Sequence, residues 1–353
     1  MKERVLTGYR PTGKLHLGHW FGNLQNMLKL QDQYEAFYFV ADWHALTSEW
    51  QNPSDIARFT EEMVLDWVAA GLDPEKCVIY RQSDLPEIAE LLLYFSIVTP
   101  VSWIERTPSY KEQQQQIGDK DLSNLGFLTY PALQAADIVA IEASYVPVGE
   151  DQLPHIELAR EIVRRFNSTY KAGDETGIRG LVEPQGLLAG AGDAALQDAK
   201  GKDEKEDSTH ARVPGTDGRK MSKSYGNAIF INDSPDEIRK KAMGFMTDPA
   251  RKQLTDPGDP EVCPLHQVHK LVASDPASIA RWEECCRAAS CGCVPHKREF
   301  ADDLIAYLAD FQARRAQLDA RPGYAQEVLE AGAAKARPIA QATIERCRKL
   351  VGL

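Results

Sequence analysis

A parallel α/β sheet giving way to an all-helical C-terminal region is the fold class this sequence predicts, on three observations. Short, β-rich apolar runs bounded by turn formers recur early, helix-period segments separate them, and the strand signal stops near residue 234. The first run is Val5-Leu6, entered from Met1-Lys2-Glu3-Arg4, and the next are Ala36-Phe37-Tyr38-Phe39-Val40-Ala41 and Cys77-Val78-Ile79-Tyr80. That alternation of short strand and longer helix is the pattern of a parallel sheet. Residues 188–209 are rich in Ala, Gly, Asp and Lys without an apolar stripe, and are expected to be a mobile surface insertion. Ser234-Pro235-Asp236-Glu237 is a helix start with Pro at the first position, and 298–319 and 323–350 are long amphipathic segments. The expected division is therefore 1–230, carrying the sheet, and 231–353, helical.

The 353 residues, 43% hydrophobic and 26% charged, suit a globular chain of about two domains. No stretch approaches the roughly 18 apolar residues of a membrane span, and the first residues run into a strand rather than a signal sequence, so the cytoplasm is the expected address. A formal charge of −11 argues against a protein that coats nucleic acid with its whole surface, because phosphate affinity comes from Lys and Arg. Local basic patches remain open at 160–165, 239–241 and 297–298, each also compatible with the solvated face of a helix. Five of the seven cysteines fall between Cys263 and Cys293, which suits a metal site in a reducing compartment; no structural disulfide is expected.

Two elements carry phosphate chemistry. After the first strand comes Thr7-Gly8-Tyr9-Arg10-Pro11-Thr12-Gly13-Lys14-Leu15-His16-Leu17-Gly18-His19, running into an amphipathic helix. A strand leading to a helix N-terminus turns backbone N–H groups toward a bound anion. His16 and His19, three apart, fall on one face of a turn, where their N–H donors can hold charge developing on phosphates; a zinc half-site is the alternative for an isolated pair. Some 200 residues later, Gly215-Thr216-Asp217-Gly218-Arg219-Lys220-Met221-Ser222-Lys223-Ser224 is a polar glycine-rich loop with two lysines flanking a serine. Such ammonium groups can close over a triphosphate and neutralise leaving pyrophosphate.

Together, His16-Leu17-Gly18-His19 and Lys220-Met221-Ser222-Lys223-Ser224 resemble the HIGH and KMSKS signatures of class I aminoacyl-tRNA synthetases. The resemblance narrows at 39–47 (Phe-Val-Ala-Asp-Trp-His-Ala-Leu-Thr), 130–138 (Tyr-Pro-Ala-Leu-Gln-Ala-Ala-Asp-Ile) and 146–152 (Val-Pro-Val-Gly-Glu-Asp-Gln), which look like blocks of the tryptophanyl-tRNA synthetase family and extend the likeness over nearly the whole chain. It implies a Rossmann-like catalytic domain and a helical anticodon-binding domain. It also implies that Asp137 accepts the indole N–H, that Leu6, Gly8, His44, Val146 and Val148 line the indole pocket, and that Tyr130, Gln134 and Gln152 bind the rest of the tryptophan. For ATP it implies Arg10, Thr12, Gly18, His19, Gly149, Asp151 and Lys220 to Lys223 (Lys220, Met221, Ser222, Lys223), with Lys111 reaching the triphosphate. Catalysis is expected from His16, His19, Lys220, Lys223 and Lys111, with MgATP and tRNA(Trp) as partners and a homodimer as the assembly. Arg10, where many bacterial relatives carry Gln, points to a sub-branch of the family.

Members of that sub-branch carry a C-x22-C-x6-C-x2-C spacing that binds a four-iron four-sulfur cluster. Here Cys263, Cys286 and Cys293 keep three positions and His296 takes the fourth, with Cys291 or Cys285 as alternative ligands. Three thiolates and an imidazole also suit Zn2+. Two rivals share parts of these features: a tyrosyl enzyme on the same frame, and a synthetase-like regulator without catalysis.

Overall fold

The computed structural model describes residues 2–107, 124–149, 152–173, 175–188 and 213–353. The chain forms two compact units, one of residues 1–12, 27–194 and 322–353, the other of 13–26 and 195–321.

In the first unit, strands β1 (Arg4–Tyr9), β2 (Glu35–Val40), β3 (Val78–Arg81), β4 (Tyr145–Val148) and β5 (Gln185–Leu188) form one sheet in the order β3-β2-β1-β4-β5, every pairing parallel. β2 is buried along nearly its whole length, which is why its sequence is a continuous apolar run and not an alternating one. Leu6, Phe37, Tyr80, Phe95 and Phe166 are fully or almost fully buried in the core around it; each such side chain contributes about 1.5–3 kcal/mol by leaving water. The strand order reverses between β1 and β4, so a crevice opens at their carboxyl ends, the usual ligand position in such sheets.

The C-terminal helix Tyr324–Val351 packs onto β3 so closely that a Cβ on Gly332 would lie 1.8 Å from the Ile79 carbonyl oxygen. Backbone cannot yield as a side-chain tip can. Gly332→Ala is therefore expected to destabilise the protein by about 3 kcal/mol or more, at the upper end of overpacking costs, measured as a lowered urea midpoint.

In the second unit the described residues from Pro235 on are mainly helical, after a turn-rich stretch at 213–234. Ser234 and Glu237 form a reciprocal capping box that starts helix Pro235–Met243, a device worth about 1 kcal/mol. That helix packs on Cys293–Asp319, with Phe245 edge-on to Phe300. Helices Pro264–Val272 and Pro276–Arg287 likewise open on proline, which lacks an N–H just where a helix cannot bond one.

The parallel sheet and helical C-terminal region match the expected fold class. β5 takes in residue 188, assigned to the insertion from sequence, and 189–209 lie outside the described residues. Arg160 and Arg164 pair with Glu157 and Glu183, and Arg239 with Asp236 and Asp302, as solvated helix faces do.

Candidate active site

In the first unit, a cavity of about 320 Å³ opens at the carboxyl ends of β1 and β4. Leu6, Gly8, His44, Tyr130, Gln134, Asp137, Val146 and Gln152 line it, as does Arg10. Val148 is buried in the core and does not line it. A Cβ on Gly8 would come within 2.3 Å of the Phe39 ring, so glycine alone lets β2's aromatic reach this wall. Asp137, on helix Leu125–Ala140, is 1% exposed. His44 Nε2 donates to its Oδ2 at 2.9 Å, and Gln82 Nε2 to both oxygens at 2.7 and 3.0 Å. Burial raises the carboxyl above its ordinary value, against which the His44 and Gln82 bonds act. A buried carboxylate acceptor in a wall that mixes apolar side chains such as Leu6, Phe39, Ile138 and Val146 with polar ones can take the N–H of a ring donor.

In the second unit, residues 15–17 pair antiparallel with 229–231: Leu17 N–H donates to the Ile229 carbonyl at 3.0 Å and Ile231 N–H to that of Leu15 at 3.1 Å. This brings His16 to His19 beside Lys220 to Ser224. The two imidazole centroids are 3.7 Å apart, and the His16 backbone N–H donates to His19 Nδ1 at 3.1 Å. That bond fixes the His19 tautomer, with its proton on Nε2. A Cβ on Gly13, where φ is +129°, would lie 3.3 Å from the Lys223 ammonium, and one on Gly18 would strike the His16 ring at 2.9 Å. Burial first, then Lys223 and Lys220, push His16 down to about 4; burial and His16 push His19 well below its usual value. Both are neutral N–H donors near pH 7.

The loop is tied by Asn227, which the sequence did not single out. Its Oδ1 accepts from Ser222 N–H, and its Nδ2 donates to Asp217 and to the Lys220 carbonyl. Met221 is buried with its N–H given to the Val213 carbonyl, whereas Lys220 is exposed and Lys223 half-buried. The sequence profile described as tRNA synthetases class I (W and Y) matches residues 2–309. The tryptophan–tRNA ligase of Thermotoga maritima is 44% identical over 352 residues, covering 99% of each chain. That of Aquifex aeolicus is 38% identical over 419 residues, covering 99% of this chain and all of that one.

The chain belongs to the tryptophan–tRNA ligase family of class I synthetases. It is an enzyme of this family. A crystal structure of the Campylobacter jejuni tryptophanyl-tRNA synthetase, complexed with ADP and tryptophan, superposes with a TM-score of 0.82 at 31% identity, covering 99% of this chain and all of that one. Among the residues that family resemblance implied, Lys111 and Asp151 lie outside the described residues. Thr12 and Gly149 are described but do not line the cavity.

The cysteines depart from expectation. Cys285 and Cys291 form a disulfide, where none was expected. Cys285 sits in the last turn of helix Pro276–Arg287, and Ala289, at φ 51°, reverses the chain so that Ser290 N–H bonds the Cys285 carbonyl and Cys291 returns to it. Oxidised, neither can ligate a metal. Cys263, Cys286, Cys293 and His296 do line one cavity, of about 20 Å³. However, the Arg251 guanidinium lies 3.9 Å from both Cys286 and Cys293 Sγ, and His296 Nε2 is bonded to His269 Nδ1 at 2.9 Å. His269 in turn donates to Asp303, and Trp282 stacks on His296. The donor types fit a thiophilic metal, but the arrangement does not: a cavity this size holds about one water, and among the described residues no three His, Cys, Asp or Glu close around one ion.

Proposed function

We propose that this enzyme activates L-tryptophan with ATP and then esterifies it to the 3′-terminal ribose of tRNA(Trp). The observation that carries this is Asp137, a buried carboxylate held by three hydrogen bonds in the wall of the cavity at the crevice of a parallel sheet. A carboxylate accepts an indole N–H or a phenol O–H alike; what favours tryptophan over tyrosine is the 44% identity, over nearly the whole of both chains, to a tryptophan–tRNA ligase. In the first step a carboxylate oxygen of tryptophan attacks the α-phosphorus of MgATP, the bond to the bridging oxygen breaks, and pyrophosphate leaves with the electron pair. In the second, a ribose hydroxyl of tRNA attacks the carbonyl and AMP leaves. No covalent enzyme intermediate is needed. His16 and His19 donate neutral N–H groups to phosphate oxygens, Lys220 and Lys223 neutralise the departing pyrophosphate, and Tyr130, Gln134 and Gln152 orient the amino acid. Magnesium accompanying the triphosphate supplies further charge neutralisation. The catalytic domain expected at 1–230 also takes in the C-terminal helix Tyr324–Val351, which packs onto β3, so the tRNA anticodon-binding role expected of 231–353 falls to the helices between Pro235 and Asp319, at a cytoplasmic address. Among the described residues no helix is long and apolar enough to cross a membrane.

The test is tryptophan-dependent ATP–pyrophosphate exchange, run beside tyrosine and phenylalanine. Exchange with tryptophan alone is expected. Exchange with none, from folded protein supplied with Mg2+, would favour the regulatory reading instead.

A homodimer is the proposed assembly. Leu93, Ile97, Val101 and Leu125, each 58–72% exposed, sit on helices Glu87–Val98, Val101–Arg106 and Leu125–Ala140, of which the last packs against the other two. A second copy is the occupant this apolar set fits, by continuity with the family's two-fold assembly. Sedimentation velocity should give a dimer that Ile97→Asp shifts toward monomer; an unshifted dimer would place the interface elsewhere.

A metal on Cys263, Cys286 and Cys293, iron–sulfur or Zn2+, stays a proposal resting on donor type and on the family spacing, with His296 the fourth ligand. Loading would require Arg251 to withdraw from the thiols. Its role would be to stiffen the helical region, with no redox step. Elemental analysis of anaerobically purified protein should find about four irons or one zinc per chain; neither metal, with the thiols all titratable, would remove the proposal.

A further inference from the structure

Gln82 follows β3 and is completely buried. Its Oε1 accepts the backbone N–H groups of Trp43 at 3.1 Å and His44 at 3.3 Å, donors in the first turn of helix Asp42–Glu49 that have no partner within the helix. Two donors on one end settle the orientation of the amide, so the nitrogen end faces Asp137. The same turn is anchored a second way: Asp42 accepts from the Trp43 and Ser83 N–H groups and from the Ser83 hydroxyl. Gln82 is thus held by backbone, and Asp137 is held by Gln82.

The count of acceptor sites is informative. An ionised carboxylate offers about four lone-pair sites, two per oxygen. On Oδ2 one is taken by His44 and one by Gln82; on Oδ1 one is taken by Gln82. Among the described residues' hydrogen bonds a single site remains, on a carboxylate that lines the cavity.

We infer that Gln82 is a positioning residue for amino-acid selection: it holds Asp137 as an ionised acceptor with one lone pair left for a ring N–H of the substrate. The inference rests on the tryptophan-binding role proposed for Asp137. Burial, with Asp42, works toward protonating Asp137, and the buried Tyr80 phenol also faces it; the His44 and Gln82 donors oppose this. Removing the Gln82 donors shifts the balance toward the acid form, whose own O–H competes with the ring N–H for the remaining site.

The experiment compares tryptophan with its benzothiophene isostere, in which sulfur replaces N–H, in ATP–pyrophosphate exchange across the pH range the folded protein tolerates. Gln82→Met removes the donors; Gln82→Glu keeps the oxygen that holds the helix and sets a like charge against Asp137 in place of the donor, so it tests the inference if the methionine variant does not fold. Both are expected to lower the tryptophan-to-isostere ratio of kcat/KM about tenfold or more, and to move the acid limb of kcat/KM for tryptophan to higher pH, with KM for ATP unmoved. Equal losses on both amino acids, with the acid limb in place, would mean that Gln82 only packs. Asp137→Asn separates the two readings. If it leaves the ratio intact, the Asp137 assignment fails and Gln82 with it; if it collapses the ratio while the Gln82 variants do not, only the Gln82 inference falls.

Discussion

His19→Ala should slow tryptophanyl-adenylate formation by about 10²–10³-fold, the usual loss on removing one preorganised donor from developing charge. The His16 backbone N–H occupies His19 Nδ1, which leaves Nε2–H as the donor, and the partly buried pair sits where it need not reorganise as charge develops. Tryptophan affinity should be nearly unchanged, because the imidazole does not line the cavity around Asp137. Equal losses in rate and in tryptophan affinity would contradict the role. A pH profile checks the protonation state. With His16 at about 4, both histidines are already neutral at pH 6, so neither should produce an acid limb near the ordinary histidine value of 6.5. A limb there that vanishes in His19→Ala would mean that the imidazolium is the working form.

Asp137→Asn should lower kcat/KM for tryptophan by about 10–100-fold, with KM for ATP unaffected. A charged acceptor to a buried N–H contributes about 1.5–3 kcal/mol, and an amide cannot replace it here. The asparagine carbonyl offers two lone-pair sites where the carboxylate offers four, while its NH₂ adds a donor beside those of His44 and Gln82. The sign with pH follows from the raised carboxyl: the ionised form accepts the indole N–H, so tryptophan kcat/KM in the wild type falls as pH drops through the Asp137 value. The asparagine variant lacks that limb. Unchanged discrimination between tryptophan and tyrosine would sink the specificity role.

The candidate phosphate-binding and amino-acid-binding elements stand out in the sequence because their chemistry is concentrated in short strings. His16 to His19 and Lys220 to Ser224 each hold several rare side chains in five residues or fewer, and the Asp137 helix carries its acid among alanines. Gln82 and Asn227 were not legible. A lone glutamine after a strand and a lone asparagine after a lysine-rich loop look like ordinary turn residues; their roles exist only through partners 38 to 55 residues away for Gln82, and through backbone contacts within the loop for Asn227. Position supplied the one usable hint, since Gln82 follows the carboxyl end of β3. The expectation of no disulfide missed for a similar reason. Spacing counts residues, but the left-handed turn at Ala289 decides which sulfur meets which, and Arg251, outside the motif, takes the place beside two of the thiols.

By itself the sequence determined the fold class, the family and the chemical groups present: a pair of imidazoles, two ammonium groups beside a serine, and a carboxylate among alanines. These are local properties, written in periodicity and in short strings. The tertiary structure alone decided how they meet. Pairing of 15–17 with 229–231 joins two motifs some 200 residues apart, burial turns the histidines from possible cations into neutral donors, and a glutamine amide fixed by backbone leaves Asp137 with one free acceptor site. Protonation state and lone-pair occupancy depend on what surrounds a group in space, and chain order does not record that.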